Sequence, residues 1–491
     1  MKPTSLLWLA ISSLLLPFLA AITPGVHAAV RPHYGGVLRL AVAGPLSSLD
    51  PADASNISGQ AAIQHIAPLI FNTLTTLDDR GEVQPSLALA WKSDLGSRTL
   101  GSQRWEFQLR PEVKFSDGTP LTANAVAASL RVANPRWNIS PAGDSIVIET
   151  DVAILDLPAE LALSRNSIVL REGGKLIGTG PFTVTQWDPG KNLAVSSRED
   201  YWAGRPFVDS VELAIGRPPR DQMLALELGR LEGVEVAAEQ ASGAVAGGHV
   251  VRSAPDELLA IVFNRDAQSP EERRLHQALG LAIDRSLLNT VVLHSTGEPA
   301  GGLLPNWMTG YEFLFPTVLD RERTRQLHEG IKQASPWDLG YDQSDPAARV
   351  IAERIALNAQ DAGLNVRPID VRLTATTAPD AQLVRIRLLS RDAQVALSHL
   401  AASLQLPVPD SRRASSSGPS SQSLSSQAAA TADLYAAENA LLQTEHVIPL
   451  LHLRTAVELA RNVHGWSEGQ DGSWDLPNVW LTVEKPNMEK P

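Results

Sequence analysis

The residues that could do covalent chemistry are few in this sequence and form no catalytic pattern. It contains no cysteine. Thiol nucleophiles, disulfides, Cys-ligated zinc, iron–sulfur clusters and lipid anchors on Cys are therefore excluded. No Gly-x-Ser-x-Gly elbow is present to seat an acyl-transfer serine. Gly178-x-Gly180 lacks the third glycine of a dinucleotide turn, because Thr183 stands in its place. Gly174-Lys175 is followed by Leu176, and Val169 occupies the position of the leading glycine, so there is no phosphate-cradling loop. His446 and His452 flank Pro449 at a spacing of six, and a helical metal pair needs three or four. Asp78-Asp79 and Glu271-Glu272 read as solvated or capping carboxylates. The sequons at Asn56-Ile57-Ser58 and Asn138-Ile139-Ser140 are chance matches. No nucleophile–base pair and no metal signature is present, so an enzyme is the least supported class, and no catalytic residue, metal or cofactor is assigned.

The composition narrows the class of protein further. Its 491 residues suggest two to four domains. Hydrophobic residues make up 44% and charged residues 20%, as in globular chains. Lys and Arg number 42 against 54 Asp and Glu, and 42 − 54 gives a net charge of −12. That excess argues against nucleic acid as a partner and gives no support for docking on anionic lipid. Near the start, Lys2 precedes an apolar run from Leu6 to Ile22, then Pro24-Gly25 and Val26-His27-Ala28. This is the pattern of a signal peptide cleaved after Ala28, since Val26 and Ala28 are the small residues a peptidase reads. Pro17, Ser12 and Ser13 interrupt the run, so a membrane anchor is the weaker reading. Without Cys the exported protein cannot be a lipoprotein, which leaves it free in the periplasm.

The elements that position any site follow from periodicity. Gly35–Val42 reads as a buried strand, and Ile63, Ile66, Ile70 and Leu74 form a helical stripe over 61–77. Trp105–Leu109 alternates as a strand, and Asp117-Gly118 is a turn. Thr122 then caps a helix through about Leu130. Phe182 to Ser196 reads as a hairpin about Asp188-Pro189-Gly190, and Leu258–Phe263 as a buried strand. Ser269-Pro270-Glu271-Glu272 opens a helix with a capping box. Asp345-Pro346 opens another, which Gly363 stops before a strand over 364–369. Nine serines in 411–427 predict a solvated flexible loop, because such a stretch buries no apolar area. The end from Gly472 to Val483 is expected to pack on the first domain.

These motifs, in this order, resemble the bacterial extracellular solute-binding protein family 5, the peptide/nickel-binding proteins of ABC importers. The match begins with Gly35-Gly36, Ser48-Leu49-Asp50-Pro51, Leu74–Asp78 and Pro85–Trp91. Its strongest segment is Trp105–Val126, which contains Ser116-Asp117-Gly118-Thr119-Pro120. Gly178–Trp187, Asp200–Pro206, Phe263-Asn264, Gln277–Arg285, Pro299–Pro305 and Ile448-Pro449-Leu450 follow. The resemblance covers about 35–480. It departs from the family at Ala125-Val126, where an acidic residue is usual, in a short 133–177, and between Leu364 and Tyr435, where the acidic anchor segment for a peptide amine is missing.

The resemblance implies an α/β, two-lobed periplasmic-binding-protein fold (type II, with an extra small subdomain). After the signal peptide at 1–28, residues 29–65, 178–258 and 446–491 would form the core of lobe I, 66–177 an abridged small subdomain, and 259–445 lobe II. It also implies a solute, peptide or similar, held between the lobes and delivered to an inner-membrane permease by a monomer. Asn56, Ser58, Phe263 and Asn264 sit where the family places ligand-proximal residues. Each also has a plain structural reading, as loop or core-strand residues. An exported sensor of the same fold that feeds no permease is the alternative.

Overall fold

The computed structural model describes residues 31–482 except 43, 45, 54–59, 79–81, 95–102, 151–155, 242–247, 332, 334, 344, 373–377, 389–392, 405, 407–423 and 469–472. The elements below all lie in the compact unit that begins at Tyr34. Two large mixed sheets dominate. The first has seven strands, in the order Phe182–Asp188, Asn192–Ser197, Ser210–Ile215, Val37–Val42, Gly233–Ala237, Thr455–Leu459 and His249–Arg252. Val37–Val42 runs parallel to both its neighbours, which places it centrally, and Leu38, Leu40 and Val42 are fully buried there. The second has six strands, in the order Glu298–Pro299, Val447–Leu453, Glu257–Phe263, Ala381–Arg387, Trp337–Tyr341 and Val366–Asp370. A four-stranded sheet, Ala88–Asp94, Gln103–Leu109, Ser145–Thr150 and Asn138–Ala142, carries its own core around Phe107, Phe115 and Leu130.

The local signals act as sequence reasoning expects. Thr122 accepts from Ala125 N at 3.2 Å and starts the helix Ala123–Ala133. Ser269 accepts from Glu272 N at 3.1 Å at the head of Pro270–Ala282. Gly363 ends the helix Ala348–Asp361 region with φ +83°. Leu476, Val479 and Leu481 join the core of the first sheet.

Four expectations need correction. The helix expected over 61–77 stops at Ile70, and Leu74 packs instead in the core of the four-stranded sheet. Because Ile66, Leu69 and Ile70 pack against the seven-stranded sheet, the 65/66 boundary cuts a helix belonging to that core. The chain re-enters the first sheet at Arg454 rather than at 446, because Val447–Leu453 pairs antiparallel with Glu257–Phe263. Of the serine-rich stretch, 411–423 lie outside the described residues, but 424–427 begin the helix Leu424–Leu442, where a run of alanines follows. Alanine has the highest helix propensity and carries the turn backwards into the serines.

The two large sheets are joined by two neighbouring crossings. The chain leaves the first sheet after Arg252 and enters the second at Glu257, then returns through Arg454. The crossings hold each other: Ser253 N donates to Thr455 O, and Asp256 N to Leu453 O, both at 3.0 Å. Thr455 N donates to Ser253 Oγ at 3.0 Å, and Arg454 to Ser253 O at 3.1 Å. Each crossing is a short piece of chain between two separate cores, the kind of connection at which a hinge can form.

Candidate functional site at the cleft between the two sheets

The cleft is built where side chains from the two sheets meet beside these crossings. On the strand Ala381–Arg387 alternate residues share a face, so Arg385 and Arg387 point the same way. Arg387 reaches across to Glu235 of the first sheet, donating to Oε1 at 3.1 Å. The Nε2 of His65, on the helix Gln60–Ile70, lies 3.0 Å both from Arg387 and from Glu235. Arg385 donates to Glu239 Oε1 at 2.6 Å, just beyond the strand Gly233–Ala237. On its own side Arg385 also holds Asp345 at 2.7 Å and Glu257 at 3.4 Å, and Arg387 lies 3.7 Å from Asp256.

The groups are buried, with side-chain exposure of 10% for Arg387 and 4% for both Glu235 and His65. Burial works against the charge of both guanidiniums. The carboxylates outweigh it and hold both above the ordinary arginine value: Glu257, Glu239 and Asp345 for Arg385, and Glu235, Asp256 and Glu257 for Arg387. Burial raises the Glu257 and Glu468 carboxyls above their usual range. An aromatic wall adjoins the ions, with His65 stacked on Trp474 at 4.5 Å and Trp466 at 5.2 Å from Trp474. A groove of about 520 Å³ opens beside Glu239, lined also by Val291, His294, Val350, Arg354 and Leu357.

A second polar contact spans the cleft. Arg165, from the short turn Ser164–Asn166, lies 2.9 Å from His399 Nε2 on the helix Ala393–Ser403. Burial and the Arg165 charge push the His399 imidazole down to about 4, so at neutral pH it is uncharged and accepts from Arg165.

Of the residues singled out from sequence, Phe263 and Asn264 do not join this cluster. Asn56 and Ser58 lie outside the described residues. Phe263 is buried in the second sheet, stacked on His276 at 3.5 Å and edge-on to Trp337 at 5.5 Å, so its ring is a core group. Asn264 is exposed, and its side chain donates to Pro379 O at 2.5 Å, closing the end of its strand. His446 faces Asp266 at 3.1 Å, whereas His452 is buried and faces Leu303 O at 3.2 Å. Sequence reasoning missed the cleft ions. The available signal was Arg385-Ile386-Arg387 with Glu235 in Gly233–Ala237: charges at alternate positions of otherwise apolar strands.

The chain matches the family described as bacterial extracellular solute-binding proteins, family 5, over residues 82–163 and 166–422, and it belongs to that family. It is 25% identical over 335 residues to protein XP55 of Streptomyces lividans, a match spanning 61% of each chain. Two solved structures share the fold. NikA from Staphylococcus aureus, in complex with Ni(L-His)2, superposes with TM-score 0.74 at 15% identity, covering 91% of this chain and all (100%) of that one. The oligopeptide-binding protein AppA from Bacillus subtilis, in complex with a nonapeptide, gives 0.73 at 17% identity, covering 92% and 100%. The fold is thus the two-lobed, type II periplasmic-binding-protein fold, built here on mixed sheets with flanking helices.

Proposed function

We propose that this protein is the periplasmic solute-binding component of an ABC importer. It captures a peptide or similarly extended small solute between two lobes and delivers it to an inner-membrane permease. The observation that carries the reading is the hinge: two crossings at Ser253–Asp256 and Arg454 join two separate cores in a chain of this family. Ligand contacts made only with both lobes closed would shift the population toward that state. In this reading the seven-stranded sheet is lobe I, the four-stranded sheet its small subdomain and the six-stranded sheet lobe II. The protein acts as a monomer, without catalysis and without nucleic acid. Among the described residues no helix is long and apolar enough to cross a membrane, and no three His, Asp or Glu side chains gather as a metal site. Asn56, Ser58 and Asn264 remain proposed ligand contacts, Asn264 as an exposed amide at the strand end.

Between Leu364 and Tyr435 the sequence lacks the segment that would anchor a peptide amine. A buried ammonium needs a paired carboxylate. Free and N-acetylated forms of one peptide should therefore bind with equal affinity within a factor of about three in calorimetry. A loss of tenfold or more on acetylation, about 1.4 kcal/mol, would reveal an amine anchor. A clean ligand-free protein that takes no peptide would favour the exported sensor instead.

Export supplies an independent check. The mature chain should begin at Ala29, and removal of Lys2 would take its charge from −12 to −13. N-terminal sequencing of periplasmic protein that read from Met1 would overturn cleavage.

A further inference from the structure

We infer that Arg385 and Arg387 form a latch between the lobes that closes the protein before any solute is bound. The inference rests on the two-lobe reading above and adds a ligand-independent closed state to it. Each guanidinium has two sets of partners. One set lies in its own sheet or next to it: Asp345 and Glu257 for Arg385, and Asp256 for Arg387. The other comes from the opposite sheet and its helix: Glu239 for Arg385, and Glu235 with His65 for Arg387. The own-side carboxylates hold both guanidiniums in place when the lobes part, so little side-chain freedom remains to be lost on closing.

Buried ion pairs are often neutral, because desolvation offsets attraction. Two features tip the balance here. The guanidiniums are already partly desolvated by their own-side partners, so the added penalty falls mainly on Glu235, Glu239 and His65. Each arginine is also shared among several carboxylates rather than one, and close charge pairs across protein interfaces can couple strongly. The latch sits beside the crossings, since Arg387 is in register with Glu257, the first residue after the hinge. A contact there restrains the opening angle while the groove and the rest of the cleft stay free for solute. A protein held this way admits its ligand during spontaneous openings, and its affinity gains by the fraction already closed.

The absence of native cysteine makes the test direct. Val132→Cys on the small subdomain and Val318→Cys on lobe II, both exposed, accept a dye pair for single-molecule energy transfer. The mature protein is stripped of solute by unfolding and refolding. The ligand-free wild type should populate mainly the short inter-dye distance. Arg385→Gln with Arg387→Gln should lower the closed-to-open ratio about tenfold or more. If that pair fails to fold by circular dichroism, Glu235→Gln with Glu239→Gln removes the same contacts from the opposite lobe and should give the same shift. A ligand-free wild type at the long distance would overturn the latch whatever the variants do, as would folded variants with an unchanged distribution. Peptide calorimetry fails separately if the solute-binding reading is wrong, because the inter-dye distance is read without ligand.

Discussion

Alanine at Glu438 should lower stability by about 3–9 kcal/mol, with a fall in melting temperature of roughly 3–9 °C in a circular-dichroism scan. Glu438 lies on the helix Leu424–Leu442 and is fully buried. One carboxyl oxygen accepts from Leu303 N at 2.5 Å and from Leu304 N at 3.0 Å, and the other from the Tyr311 hydroxyl at 2.8 Å. Truncation strands three buried donors, each costing about 1–3 kcal/mol. Glu438→Gln keeps an acceptor for the two amides and should lose less than half as much. A melting temperature unchanged in the alanine variant would mean that water or a rearranged loop takes over all three bonds.

The same residue gives a pH dependence of defined sign. Burial raises the Glu438 carboxyl above its ordinary value, against the lowering effect of the Leu304, Tyr311 and Leu303 hydrogen bonds. Its folded pKa therefore exceeds the unfolded one. As pH rises, the unfolded chain releases this proton first, so the contribution is fully present below the ordinary carboxyl pKa and is lost as pH climbs through the folded value. The urea-midpoint deficit of Glu438→Gln relative to wild type should therefore shrink on going from about pH 4 to pH 8. A difference that stays constant would mean that the carboxyl titrates normally in the fold.

Alanine at Gly180 should cost about 3 kcal/mol or more, and alanine at Gly178 at least as much. This segment crosses the C-terminal end of the helix Gln60–Ile70, where Gly180 N donates to Ile70 O at 2.9 Å. A Cβ on Gly180 would lie 2.5 Å from the Ile70 carbonyl carbon, and one on Gly178 would overlap the Ile70 carbonyl oxygen. Both obstacles are backbone, so helix and strand must separate, and the bond that satisfies the helix end is lost with them. Neither position has a positive φ, so the requirement is for space alone. Gly280 is the control. It sits inside the helix Pro270–Ala282, and its nearest neighbour to a new Cβ is Ile448 at 3.5 Å. Gly280→Ala should be neutral or stabilising by up to about 1 kcal/mol. Melting curves of the three variants decide the matter: equal temperatures for Gly180→Ala and Gly280→Ala would show that the crossing yields.

Local signals in the chain determined its elements and its family. Thr122 and Ser269 each cap the helix they head because capping is settled within four residues. The Gly178–Trp187 motif was legible as a motif, but its reason, close approach to Ile70, needs two segments more than a hundred residues apart in the chain to be seen together. Periodicity placed Ile63, Ile66 and Ile70 on one face and carried it too far, to Leu74, because an apolar residue carries no mark of which core it will join. The cleft was the least legible part. Phe263 was chosen for its place in a motif, and tertiary packing put its ring between His276 and Trp337. His65, Glu235 and Arg387 stand apart in sequence, and each alone reads as an ordinary polar residue. What brings them within 3.1 Å of one another is the meeting of two sheets across a hinge, and the distance dependence of charge interactions leaves no trace in any one of the three segments.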